Sequence, residues 1–312
     1  MIPTQDPASD TVADRSISEG VRVTSSGARG RLLRRENSRH MLLLPTVLLV
    51  AVFFVVPLGL VAVYSLGTTS LVSFTTHFGW TLRNYSGLAD PLYLGSIIRS
   101  LLLSAGATLA CAVLAVPMAY FIVQQRRGLQ MILLLAVIVP FWTSFLIRIY
   151  AWISILQNGG WLESILHHLG LVHGPLNWLY TPFSIGLGIV YGYLTLMVLP
   201  VYVALERLDP GVLEAADDLG SHGWNLMWRM VVPLAKPGII AGCVLVGIPA
   251  TGEFVTPAIL GGGKTLMLGN VMGTQFMDVG NLAFGSAMAM CLVTVVLLLL
   301  LVQVLARPRS RP

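Results

Sequence analysis

Six stretches without a charged side chain set the limits on what this chain can fold into. They are Met41–Leu66 (26 residues), Ser100–Val123 (24), Leu129–Ile147 (19), Pro182–Leu205 (24), Pro237–Gly252 (16) and Leu282–Ala306 (25). The third continues past Arg148 to Leu156, and the fifth past Glu253 to Leu260. A helix crosses the hydrocarbon of a bilayer with about 20 apolar residues. Lipid offers the backbone no hydrogen-bond partner, so such stretches must be helices. The pattern predicts an all-α membrane protein, a bundle of six transmembrane helices. Composition excludes a soluble domain: 55% of the residues are hydrophobic and 11% charged, against about a quarter charged in soluble domains. Cys111, Cys243 and Cys291 lie inside apolar runs at spacings that fit neither a disulfide framework nor a metal knuckle.

Orientation follows from where the net charge of +5 resides. With a cytoplasmic N-terminus, the inside segments are 1–40, 124–128, 206–236 and 307–312, and they hold fifteen of the 19 Lys and Arg residues. The positive-inside rule then puts both termini in the cytoplasm of a multi-pass membrane protein. Residues 1–40, rich in Ser, Gly and Arg, read as a disordered cytoplasmic tail, and 307–312 as a second, short one. The basic run Arg31–Arg39 abuts a span and reads as a membrane anchor, not a nucleic-acid patch. Met41–Leu66 is too long for a signal-peptide core and is expected to be an uncleaved first span. The external loops carry Trp80, Tyr85, Tyr93, Trp161 and Trp178, residue types that anchor at the membrane interface.

The informative segment is the cytoplasmic loop at 206–236, between spans four and five. Asp209 can cap a helix with Pro210 at its first position, and Gly220 supplies a left-handed stop. Val212, Leu213, Ala216 and Leu219 recur at helical spacing, with Glu214, Asp217 and Asp218 on another face. Trp224, Met227, Trp228 and Val231 predict a second short helix, and Pro233 and Pro237 are expected to break the chain before span five.

The residues Glu214-Ala215-Ala216, then Gly220, Met230 and Val232-Pro233 resemble the EAA loop of ABC-importer permeases, with Met230 and Val232 in place of the family's Ile and Leu. Two further runs resemble the spermidine/putrescine permeases. One is Pro140-Phe141-Trp142-Thr143-Ser144 with Ile147-Arg148 and Tyr150-Ala151-Trp152. The other is Pro237-Gly238-Ile239-Ile240-Ala241-Gly242 leading to Gly252-Glu253-Phe254 and Leu260-Gly261-Gly262. The resemblance covers 41–306 and implies a type I ABC importer permease, a transport subunit with no catalytic residues and no cofactor. The loop would then be the coupling helix that docks on an ATPase: Ala215 and Ala216 allow close approach, Glu214 offers a carboxylate and Gly220 makes the turn. The implied partners are an ATP-binding ABC subunit dimer, a second homologous permease, a periplasmic or extracellular solute-binding protein, membrane lipid and a small-molecule substrate, a polyamine or a related solute. Nucleic acid is not among them.

Charges inside the spans are the remaining site candidates, because a charge at the bilayer centre costs about 2.5–3.5 kcal/mol on insertion scales. Arg148 is expected near the outer surface, roughly 27 Å along a continuous span three; it either snorkels or packs the pathway or a partner. Glu253 follows Gly252 and stands between Pro249 and Pro257, where the helix should bend or open. A carboxylate there could attract an amine-bearing cation or pair with another subunit. With Trp142 and Tyr150 from the resembling span, these are the substrate-pathway candidates. Gly188 and Gly192 form a small-xxx-small packing step. Gly261-Gly262-Gly263-Lys264-Thr265 imitates a phosphate loop but has Ala258 for the first glycine and no preceding strand. His167, His168 and His173 lack acidic ligands at metal spacing. The competing class is a self-contained secondary transporter or channel, which calls for paired broken helices in inverted repeats.

Overall fold

The structure is a computed structural model and describes residues 26–70, 75–171, 173–208, 211 and 223–305. The chain divides into two units, Met1–Leu60 and Val61–Pro312. Helix α1 spans Ser26–Ser65, and its residues 61–65 are counted in the second unit. Helix α1 contains Pro45 and Pro57, and its Pro45–Ser65 part is long and apolar enough to cross a membrane. Residues 26–40, expected to belong to a disordered tail, are helical. Leu and Arg are good helix formers, and extending an existing helix avoids the cost of a new nucleus.

In the second unit, a hairpin of β1 (Thr68–Ser70) and β2 (Thr75–His77) pairs Thr69 with Thr76. A short helix α2 (Arg83–Gly87) follows, then α3 (Pro91–Val123), α4 (Arg127–Trp142), α5 (Phe145–Leu156), α6 (Trp161–His168) and α7 (Pro182–Glu206). After the cytoplasmic loop come α8 (Trp224–Leu226), a π-helical turn at Met227–Val231, α9 (Val232–Thr251), α10 (Val255–Leu260), α11 (Leu268–Met277) and α12 (Leu282–Leu305). Among the described residues, five helical segments qualify as membrane spans by length and composition, or six if the bent α4/α5–α6 pair is one span. The six-span expectation therefore stands, with three local differences.

Span two begins at Pro91, nine residues before the expected Ser100. Asp90 caps it by accepting from the Leu92 amide at 3.0 Å, with Pro91 at the first position. At 1.5 Å per residue α3 is about 50 Å long, beyond the roughly 30 Å of hydrocarbon, so a helix can include the exposed Arg99. Span five begins earlier too: neither Pro233 nor Pro237 breaks it, and the helical run starts at Met227. The π-helical turn immediately before Pro233 widens the ladder where the ring would otherwise strike a carbonyl of the preceding turn. Span three is not continuous. Thr143 and Ser144 are extended, and the arms on either side of them meet at 92°. Pro140 weakens the end of α4, and the Thr143 hydroxyl donates to the Pro140 carbonyl at 2.7 Å.

Helices α3, α7 and α9 pack together around Cys111, Ala115, Met197, Val201, Val231 and Val246. Without a hydrophobic drive between helices in lipid, such packing depends on close contact and interhelical hydrogen bonds. Ser104 donates to the Gly247 carbonyl at 2.9 Å, Thr195 to the Val137 carbonyl at 2.9 Å, and the Leu268 amide to Ser100 Oγ at 2.7 Å. These bonds tie α3 to α9 and α11, and α7 to α4, and the packing of α3, α7 and α9 joins the two groups.

Candidate functional site

Two breaks in the helices face each other across a cavity of about 430 Å³. Phe141, Phe145 and Arg148 line it from the α4–α5 bend, and Gly252, Glu253 and Phe254 from the gap between α9 and α10. Gly192 and Tyr193 of α7 form the wall between them.

The second break is built around Glu253. Pro249 lies in the last turn of α9, Gly252 caps it, and Pro257 sits in the first turn of α10, where a missing N–H costs nothing. Glu253 is 8% exposed. Its Oε1 accepts from the Val255 and Thr256 amides at 3.1 and 3.2 Å, satisfying two orphan donors of α10, and its Oε2 accepts a short bond from the Tyr193 hydroxyl. The carboxylate thus fastens the break to α7. The break is also supported from behind: α11 begins so close that a Cβ on Gly269 would lie 2.7 Å from the Glu253 carbonyl oxygen. Gly188, one turn before Gly192, has the same role on α7, since a Cβ there would lie 2.6 Å from Leu260 Cδ1 and 2.8 Å from Thr256 Cγ2. Gly192 has only an ordinary contact, 3.6 Å to Phe145.

Arg148 is held differently. Its guanidinium carbon lies 5.9 Å from the Phe141 ring centre and 5.5 Å from that of Phe145. Its Nε is buried with no hydrogen-bond partner among the described residues. Because span three is bent, Arg148 is not far up a straight helix, as expected, but four residues into the second arm, opposite Glu253. The sequence therefore named two residues, Glu253 and Arg148, that the fold brings to one cavity. Trp142 and Tyr150 do not line it; they are 77% and 59% exposed on the outer surfaces of α4 and α5. Tyr193 was missed. An aromatic hydroxyl in mid-span needs a partner, and Glu253 is the acidic residue placed in a span, but nothing in the spacing links positions 60 residues apart. Glu214, Ala215, Ala216 and Gly220 lie outside the described residues. The Gly262–Gly263 turn has positive φ at both glycines (54° and 73°) and packs on Tyr180, with Lys264 Nζ 5.9 Å from its ring centre.

Residues 112–311 match the model of the binding-protein-dependent transport system inner membrane component. The chain belongs to that family. It is accordingly a permease of the ABC-importer type, a multi-pass inner-membrane protein that works in transport and not in catalysis. This permease is 43% identical over 223 residues to the spermidine/putrescine transport system permease protein PotB of Escherichia coli K12, covering 72% of this chain and 81% of that one. It is 40% identical over 225 residues to the Haemophilus influenzae PotB, with 72% and 79% covered. The inner membrane ABC transporter permease protein YdcU of E. coli K12 is 33% identical over 219 residues, with 66% and 70% covered. Among solved structures, a chain of a bacterial alginate ABC transporter in complex with an alginate pentasaccharide-bound periplasmic protein superposes with a TM-score of 0.68 at 15% identity, covering 88% of this permease and 94% of that chain. That likeness is one of fold. Membership in this family replaces the self-contained transporter or channel reading.

Proposed function

We propose that this permease forms part of the translocation pathway of a polyamine importer, with spermidine or putrescine as substrate. The observation that carries the reading is the 43% identity to a spermidine/putrescine permease across 81% of its length. The Glu253 cavity is compatible with it: a carboxylate has about four lone-pair sites, and three donors occupy this one, which leaves a position for an ammonium group beside aromatic walls that attract cations.

In this reading the energy comes from a separate ATPase pair, which engages the Glu214-Ala215-Ala216 and Gly220 loop on the cytoplasmic side. A second permease completes the pathway, and an external solute-binding protein delivers the substrate. ATP binding closes the ATPase pair, the loop transmits the motion, and the cavity alternates between the two sides. Both termini and the 206–236 loop are cytoplasmic. The test is uptake of radiolabelled spermidine and putrescine by the complete complex in proteoliposomes with ATP. Accumulation that depends on ATP and on the binding protein is expected; its absence for both amines, in a complex that transports another solute, overturns the polyamine assignment.

A further inference from the structure

The two charges of the cavity are not equivalent. Glu253 is held by its own chain, through two backbone amides and the Tyr193 hydroxyl, with one acceptor position left over. Arg148 carries five N–H donors. Its contacts within the described residues are two aromatic faces, with Nε buried and unpartnered. The carboxylate opposite does not relieve it, as no ion pair joins Arg148 and Glu253 among the described residues. Arg148 is half-buried, with its Nε fully enclosed; a guanidinium held against apolar walls without a counter-charge is costly, and fork-shaped donors are best met by a carboxylate.

The surroundings say what covers it. On the elements that carry the lining residues, Trp142, Ile147 and Tyr150 are 77%, 68% and 59% exposed, and Phe254 of the cavity wall is 56% exposed. A charge between exposed apolar side chains fits another membrane helix that carries one acidic side chain. We propose that Arg148 pairs with a carboxylate on a span of the second permease subunit, and that this pair closes the cavity from the partner's side. The proposal rests on the polyamine reading at one point: a polycationic substrate cannot neutralise Arg148, so the counter-charge must come from protein. It also removes an electrostatic obstacle to that reading. Alone, the cavity balances one cation against one anion; with the partner's carboxylate it carries a net negative charge that suits an amine.

The experiment uses the complete complex. Arg148→Glu should lower spermidine uptake at least about tenfold by placing like charges together. Each acidic residue in the spans of the second permease is then changed in turn to Arg. One such exchange should restore uptake, and cysteines placed at that position and at Arg148 should cross-link the two permeases. The cross-link, read on a gel in resting membranes, does not depend on which solute is carried. If Arg148→Glu prevents assembly, Arg148→Cys paired with cysteines at the same acidic positions gives the answer. A cross-link in a complex that takes up no polyamine upholds the pair and discards the polyamine reading. Normal polyamine uptake with no rescuing exchange and no cross-link to any acidic position overturns the pair and leaves that reading intact. A cross-link or rescue that maps to the solute-binding protein also overturns it.

Discussion

Replacing Glu253 by alanine separates a carboxylate that holds the helix break from one that merely lines a cavity. The change would leave three donors without their acceptor: the Val255 amide, the Thr256 amide and the Tyr193 hydroxyl. Val255 and Tyr193 border the cavity, so water can reach their donors, whereas Thr256 is fully buried. A buried donor left unsatisfied costs about 1–3 kcal/mol, so the one enclosed donor sets a loss of roughly 1–3 kcal/mol. Interhelical hydrogen bonds in membrane proteins average only about 0.6 kcal/mol, because the chain finds other partners in lipid; the lower end, about 1 kcal/mol, is therefore expected. Hydrogen exchange of the peptide spanning residues 252–260 in the purified complex reads this directly. The amides of Val255 and Thr256 should exchange about fivefold faster, the factor equivalent to 1 kcal/mol. Tyr193→Phe removes one donor and leaves the amides capped, so its effect at those amides should be small, with a stability cost of about 0.6–1.7 kcal/mol. Unchanged exchange at both amides in Glu253→Ala would refute the claim that this carboxylate builds the break.

Glu253→Gln keeps an oxygen for the two amides but loses the charge, so it should lower polyamine uptake while leaving their exchange close to that of the unaltered protein; equal uptake would show that the charge is not used by the substrate. Gly188→Leu drives a side chain into Leu260 and Thr256 and should destabilise the complex by about 1–3 kcal/mol, seen as a lower midpoint of thermal unfolding in detergent, whereas Gly192→Ala, with its nearest contact at 3.6 Å, should be mild. Glu214→Ala and Gly220→Pro should abolish ATP-driven uptake without reducing membrane insertion, and normal uptake after both changes would remove the coupling role from that loop. Cysteines at Ser18 and Ser310 should resist an impermeant thiol reagent in intact cells, while one at Asp90 should react; external labelling of either terminus would reverse the topology.

The sequence by itself determined that this is a helical membrane protein, because uncharged runs of 16–26 residues leave the backbone no other way to satisfy its polar groups in lipid. It also marked the break at Gly252–Phe254, since a glycine, a carboxylate and two flanking prolines are all local signals. It did not determine where span three goes. The run through Thr143 and Ser144 is as apolar as a straight span, and hydropathy has no direction, so the right-angle bend is visible only in the fold. Nor did it determine the start of span five, where a π-helical turn absorbs a proline that local rules treat as a stop. The meeting of Arg148, Tyr193 and Glu253 in one cavity was likewise decided only by the fold. Their separations along the chain follow no helical period, and which charge is satisfied at home and which is left open depends on hydrogen-bond geometry between helices that sequence spacing does not encode.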